Sequence, residues 1–291
     1  MSKVDAKSGK PLHVAACRRC GLVQQTPIPT EEELRRYYED EYRQTYKGTH
    51  QPKPKHVLRA GRTALERIRL LKSMGIADGT LLDIGAGGGE FVALAAKAGF
   101  DASGIEPGDY GDYARRTYGC DVERGELSEA TGTYDTVTIF HVMEHLPCPV
   151  EAFARIHRLL NPGGKLLVEV PWIEAADASP SNTYFRAHIY YFNAASLIAA
   201  ASEFFEAEHV DTSSNLRVLL RARPEPGPRE LPSREDVAAL HRRLDAKSWV
   251  EYALRGGGVI KPLRKLARAV NERQARGKSG AAIIETLAAR I

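Results

Sequence analysis

The chain has 291 residues, 43% hydrophobic and 27% charged, with a formal net charge of +4. This is the composition of an ordinary folded protein able to bury a sizeable core, and it excludes a disulfide-stapled scaffold, because Cys17, Cys20, Cys120 and Cys148 are too few to frame a chain of this length. No apolar run is long enough to span a bilayer, and residues 1–10 lack the apolar centre of a signal peptide, so a cytoplasmic location is expected.

Residues 1–55 read as an arm with several prolines, a tyrosine-rich stretch and the sequence Cys17-Arg18-Arg19-Cys20-Gly21. That spacing is half a zinc ribbon, with glycine for the tight turn. Structural zinc takes four ligands. A second Cys-x-x-Cys is absent, so zinc at Cys17 and Cys20 would need His13 as a third ligand and Cys120 or a distant histidine as a fourth. A metal-free remnant and a redox pair are the other two readings. Residues 56–75 then carry apolar positions at Leu58, Ala64, Leu65, Ile68, Leu71 and Met74, the spacing of a helix with one buried face.

The run Leu81-Leu82-Asp83-Ile84-Gly85-Ala86-Gly87-Gly88-Gly89-Glu90-Phe91 predicts a strand, a tight turn and a helix N-terminus, the layout of a nucleotide-binding corner. A dinucleotide fingerprint starting at Gly85 would need Gly or Ala at position 90, where this chain has Glu90, and no Lys-Ser/Thr pair closes a P-loop. Asp83, just ahead of the glycines, suits a ligand carrying positive charge, which points to S-adenosylmethionine (SAM). A second short strand, 102–106, ends in Glu106, about 20 residues past the first glycine, where a carboxylate can accept both hydrogen bonds of a ribose diol.

A third strand is expected before Gly125-Glu126-Leu127, and a fourth runs from Tyr134 to His141. A helix over 150–160 is broken by Asn161-Pro162-Gly163-Gly164, and an apolar strand follows over 166–170. Residues 196–205 form another expected helix with Ser196 in its first turn. Segments 208–210 and 215–221 are expected to pair as closing antiparallel strands. The prolines and glycine of 224–228 make a linker, and 233–291 reads as helical with a break at Gly256-Gly257-Gly258. No internal repeat is found. From Arg221 onward there are 16 Lys and Arg against 8 Asp and Glu, whereas the rest holds 25 against 29. A basic tail favours an anionic partner such as a phosphorylated substrate, nucleic acid or membrane surface, or is a solvated face. The lack of an aromatic-interleaved basic motif argues against nucleic acid.

Taken in order, residues 81–223 resemble the class I SAM-dependent methyltransferases. The resemblance implies an α/β fold: a Rossmann-like sheet of seven strands with helices on both faces. It divides the chain into an arm (1–55), a SAM-binding core (56–223) and a basic helical extension (224–291) that serves as a cap, a homodimer element or a partner site. It also implies that Asp83, Gly85, Ala86 and Gly87 hold the methionine part, Glu106-Pro107 the ribose, and Glu126-Leu127 the adenine edge. Phe140-His141 would lie near the sulfonium. The stretch His141-Val142-Met143-Glu144-His145-Leu146 is similar to a branch containing small-molecule, quinone and sugar methyltransferases. The arm is similar to the cysteine-rich zinc module of some sugar methyltransferases, although its upstream half is missing here.

The expected activity is methyl transfer, by in-line displacement, to a small-molecule or sugar acceptor, most simply at oxygen. His141, His145 and His188 are the candidate general bases, because histidine titrates near neutral pH. Glu144 is expected to pair with a neighbouring cation or amide. The loop 172–185, with Trp172, Tyr184 and Phe185, is placed to cover a substrate. No metal is assigned to the catalytic site. The rival readings are an NAD-dependent oxidoreductase and a non-catalytic SAM-binding scaffold that uses its basic tail for a partner.

Overall fold

A computed structural model describes residues 2–37 and 52–291. Most of the tyrosine-rich stretch of the arm (Tyr38, Tyr42 and Tyr46) lies outside the described residues. The strands, in chain order, are β1 (Ser2–Val4), β2 (Pro11–Ala16), β3 (Val23–Gln25), β4 (Gly79–Ile84), β5 (Phe100–Glu106), β6 (Asp121–Arg124), β7 (Tyr134–Phe140), β8 (Leu160–Val170), β9 (Tyr190–Tyr191), β10 (Phe205–Asp211) and β11 (Leu216–Ala222). Seven of them hydrogen-bond in the order β10-β11-β8-β7-β4-β5-β6. β4 runs parallel to β5 and β7, β5 runs parallel to β6, and β10 closes antiparallel to β11. This is the expected Rossmann-like sheet. A second sheet, β1-β2-β3-β9, joins three strands of the arm to Tyr190–Tyr191 and was not foreseen.

The helices follow from local chemistry. Pro54 opens the helix Pro54–Ser73, where its missing N–H costs nothing, and Val57, Leu58, Ala64, Leu65, Ile68 and Leu71 form its buried stripe. Met74, expected on that stripe, is instead the half-buried C-cap. Glu90–Lys97 stops before Gly99, whose φ of +109° a side chain would resist. In Ala194–Ala201, Asn193 accepts from the Ser196 backbone N–H, a side-chain cap on the first turn. That helix ends at Ala201 rather than Phe205. The Ser202 hydroxyl donates to Ala199 O, and Phe205, 1% exposed, opens β10 with its ring edge-on to Phe153.

The described residues cluster into two compact units, each discontinuous in sequence. One contains the arm, Phe140–His157 and Leu167–Pro262; the other contains the residues after the arm up to Ile139, Arg158–Leu166 and Leu263–Ile291. In the first, Leu12, Val14, Val23, Ile173, Tyr184, Tyr191 and Leu240 form a buried cluster, so the arm is part of a core. In the second, the helix Gly280–Ala288 buries Ile283, Ile284 and Leu287. A Cβ at Gly61 would stand 2.4 Å from the Leu287 side chain, so the absence of that atom sets how closely the last helix packs on Pro54–Ser73.

Candidate active site

The glycine corner sits at the end of β4. The backbone N–H groups of Gly85 and Ala86 both donate to Ile105 O, at 2.8 and 3.1 Å, which folds the turn onto β5. Gly89 has φ +76°, and a Cβ there would meet Ala114 Cβ at 2.4 Å, so no other residue fits. At Gly87, with φ +53°, a Cβ would meet nothing within 4 Å: its backbone faces open space into which a ligand can come close. Asp83 is 3% exposed, and its Oδ1 accepts from the Thr138 hydroxyl at 2.7 Å. Burial pushes its carboxyl up to about 7, against the opposing Thr138 bond. An arriving cation would restore the charged form.

The two oxygens of Glu106 accept from Gly87 N at 3.0 Å and Gly108 N at 2.9 Å, which fixes the carboxylate across the corner. Each oxygen keeps a further lone pair for a diol. Pro107 is exposed. Gly125 N donates to Glu106 O, bringing Glu126 and Leu127 beside it; Glu126 is exposed, and its N–H is capped by Glu129. The structure therefore collects Asp83, Gly85, Ala86, Gly87, Glu106, Pro107, Glu126 and Leu127 in one unit. These groups fit an adenosyl-methionine ligand: a buried acid for a cation, a held carboxylate for a diol, and bare backbone between them.

Phe140, His141, His145 and His188 belong to the other unit. His141 has φ +57°, an uncommon backbone state for a residue with a side chain and one concentrated at functional sites. Its Nε2 lies 3.0 Å from Glu169 Oε1, and its Nδ1 lies 3.6 Å from Glu144 Oε1. Burial disfavours the imidazolium, but these two carboxylates outweigh it and raise the pKa to about 9. Glu169 is fully buried and takes hydrogen bonds from Arg217 Nε at 2.7 Å and Asn215 Nδ2 at 3.0 Å; Arg217 also reaches Asp211. Glu169, Asn215 and Arg217 are members of this network that were read only as strand residues.

Glu144 is 1% exposed, and among the described residues neither carboxylate oxygen has a hydrogen-bond partner. Burial opposes its ionisation, but the neighbouring imidazolium of His141 outweighs that and holds the pKa below its usual value. The expected pairing with a cation is thus met by histidines at ion-pair distance. His145 Nδ1 lies 2.7 Å from Ala187 O, which fixes Nδ1 as the donor and leaves the lone pair of the neutral ring on Nε2, 3.8 Å from Glu144 Oε1. His188 stacks edge-on against His145, with centroids 4.9 Å apart. Burial pushes its pKa down to about 4, so it stays neutral.

The arm holds the loop that carries His188. Gln25 Nε2 donates to both Arg186 O and His188 O at 2.7 Å, Asp5 Oδ1 accepts from Arg186 N at 2.6 Å, and β3 pairs with β9. Beside this loop lies a cleft lined by Trp172, Phe185, His188, Tyr190 and Tyr191. The side-chain ligand atoms of Glu144, His145 and His188 lie within 4.8 Å of one another, a donor set that suits a borderline divalent cation. Cys17 and Cys20 belong to no such group among the described residues, and Cys120 is buried beneath Gly89.

Comparison with known proteins bears on this arrangement. A ubiquinone biosynthesis O-methyltransferase of Pseudomonas paraeruginosa is 31% identical over 104 residues, covering 32% of this chain and 45% of that protein. The Xanthomonas oryzae pv. oryzae counterpart is 31% identical over 126 residues, 40% of this chain and 51% of that protein. The chain thus spans about half the length of these curated relatives. Among solved structures, a 1,6-didemethyltoxoflavin-N1-methyltransferase from Burkholderia thailandensis aligns with TM-score 0.47 at 18% identity, covering 72% of this chain and 99% of that one. The magnesium protoporphyrin IX methyltransferase of Synechocystis aligns with TM-score 0.46 at 21% identity, covering 66% and 99%. The family described as "Methyltransferase domain" matches residues 55–205. That span exceeds half of the 291 residues and contains the whole glycine corner, so this chain belongs to the methyltransferase-domain family.

Proposed function

We propose that the protein transfers a methyl group from SAM to a hydroxyl of a small-molecule acceptor, with His145 as the general base. The observation that carries this reading is the environment of His145. Its tautomer is set by Ala187 O, its basic nitrogen faces a buried carboxylate, and the cleft beside its stacking partner His188 is lined by aromatic rings. Bound SAM supplies an electrophilic methyl group on a sulfonium. Asp83 and Glu106 bind and orient the cofactor, and the open backbone at Gly87 lets it approach. Phe140 is the last residue of β7, and His141 follows it.

His145 Nε2 receives the acceptor hydroxyl proton, while Nδ1 keeps its bond to Ala187 O. The ring then carries a positive charge, and the buried carboxylate of Glu144, at 3.8 Å, stabilises it. His141 is already protonated near neutral pH, so it serves as a fixed cation rather than a base. His188 is too weakly basic to hold the proton and positions the His145 ring. The flat walls of Trp172, Phe185, Tyr190 and Tyr191 suit an acceptor with a ring face, a sugar or a phenol. The curated relatives matched are O-methyltransferases, which supports oxygen as the accepting atom. Incubation of the protein with methyl-labelled SAM and a fractionated cell extract tests the reading. Label in a small-molecule or glycan fraction is expected, and it should fall sharply with His145→Gln. Label absent from every fraction while SAM binds would favour a scaffold, and NAD displacing SAM would favour an oxidoreductase.

A further inference from the structure

The helix Lys261–Glu272 lies beyond the region that matches the family, and none of its residues is buried. Its sequence, Lys-Pro-Leu-Arg-Lys-Leu-Ala-Arg-Ala-Val-Asn-Glu, divides cleanly into two faces. At the helical repeat, Leu263, Leu266, Ala267 and Val270 fall within one arc of about 100°, and Lys261, Arg264, Lys265 and Arg268 fall within another on the opposite side. Leu263, Leu266 and Val270 are 68%, 64% and 52% exposed. Val259 and Ile260, just ahead of the helix, are exposed as well. An apolar stripe of this width normally seats a helix on a core. Among the described residues nothing covers this one.

We propose that this helix is a surface anchor that lies in the headgroup layer of an anionic membrane. The inference concerns where the protein sits and holds whether or not the transfer chemistry is as argued above. Charge selects the occupant. Four cations flank the stripe against a single acid, Glu272, which is itself paired with Arg59 at 2.5 Å. The wider segment from Arg221 onward carries 16 Lys and Arg against 8 Asp and Glu. A basic polar face with leucines opposite is the pattern of a helix lying in an interface, and long cationic side chains reach from that depth to lipid phosphates.

A second copy of the chain fits less well. The twelve-residue helix is about 18 Å long, so two such stripes would bury roughly 400 Å² in total, well below the ~1,200 Å² total of a stable protein interface. A bilayer needs no shape match and accepts a stripe of three or four apolar residues. The helix lies on the surface rather than across it: no described helix is long and apolar enough to cross a membrane.

Co-sedimentation of the full chain with phosphatidylcholine vesicles, with and without phosphatidylglycerol, at low and high salt, tests the proposal. Binding to the anionic vesicles is expected to be at least about tenfold tighter than to neutral ones, and to weaken as salt rises. Leu266→Glu and the double change Arg264→Glu, Arg268→Glu should each lower it about tenfold or more. Both sites are exposed, so the thermal unfolding of these variants should match the parent, which separates lost docking from lost folding. Equal binding to both vesicle types, or undiminished binding of Leu266→Glu, overturns the proposal. A dimer in vesicle-free buffer that Leu266→Glu dissolves, with no vesicle binding by the parent, also overturns it and assigns the stripe to a second copy.

Discussion

Asp83, the glycines through Gly89 and Glu106 come from one strand–helix–strand unit, and their contacts run between chain neighbours or adjacent parallel strands. The groups around His141 and His145 come from five separate stretches: Asp5 and Gln25 of the arm, Glu144, Glu169 on β8, the 186–188 loop, and Asn215 with Arg217 at the start of the last strand. The first region is a binding device whose geometry is set by backbone conformation. The second is a network of charges whose geometry depends on long-range packing. Damage should therefore be local in the corner and should spread in the histidine network.

The largest effect is expected at Asp83. Asp83→Asn should abolish measurable SAM binding by calorimetry, as should Glu106→Ala, with the fold retained. Near-normal affinity in either would remove the corner from cofactor binding. The same Asp83→Asn change should stabilise the cofactor-free protein. With its pKa raised from 3.8 to about 7 by burial, Asp83 favours the folded state at acid pH, and that contribution is lost as pH rises through 7. At pH 8 the variant should be more stable by up to about 4 kcal/mol, seen as a raised and less pH-dependent Tm. Loss of stability instead would mean that the charged form is held in a way not seen here.

His145→Ala should lower turnover by about 100- to 10,000-fold while leaving SAM affinity within a factor of about two. A parallel loss of affinity would show that the two regions are not separable. Glu169→Ala should cost about 3–5 kcal/mol in urea unfolding, because it leaves the buried Arg217 with Asp211 alone and removes a partner of His141. It should also lower the His141 pKa from about 9, which an NMR titration would read. Gln25→Ala, in the arm, deletes two hydrogen bonds to the His188 loop, worth about 1 kcal/mol each. Turnover should drop roughly tenfold with SAM binding untouched; an unchanged rate would confine the arm to a structural part. The smallest effect is that of His141. The stability it confers is fully present below pH 6.5 and is lost as pH rises through about 9. With the side chain 39% exposed, solvent screening should keep this under about 1 kcal/mol, and His141→Gln should flatten that part of the pH profile.

The same contrast decides what the sequence revealed. Glycines, an acid before them and an acid one strand later are a local pattern, so the corner and the order of the central strands could be read directly. His141, His145 and His188 could be named, but not ranked, because their basicity is set by carboxylates and burial from elsewhere. Glu169 was hidden inside the apolar run 166–170. A lone acid in a strand that buries both faces requires a partner, and that was the available signal. Arg217 is its counterpart on β11. The arm was judged by its cysteines, while its working residues toward the loop are Gln25 and Asp5, which no motif marks. The early end of Ala194–Ala201 escaped because Ala-Ser-Glu-Phe-Phe satisfies a helical pattern, and only the packing of Phe205 against Phe153 decides otherwise.

The seating of Leu287 on Gly61 has a consequence for synthesis. The ribosome releases Pro54–Ser73, which packs on both Glu90–Lys97 and Gly280–Ala288, long before the second of these exists. At about 5–20 residues per second this leaves the surface around Gly61 waiting for roughly 10–45 s. Slow codons between the two helices prolong that interval and should lower the yield of folded protein more than the same codons placed before Pro54.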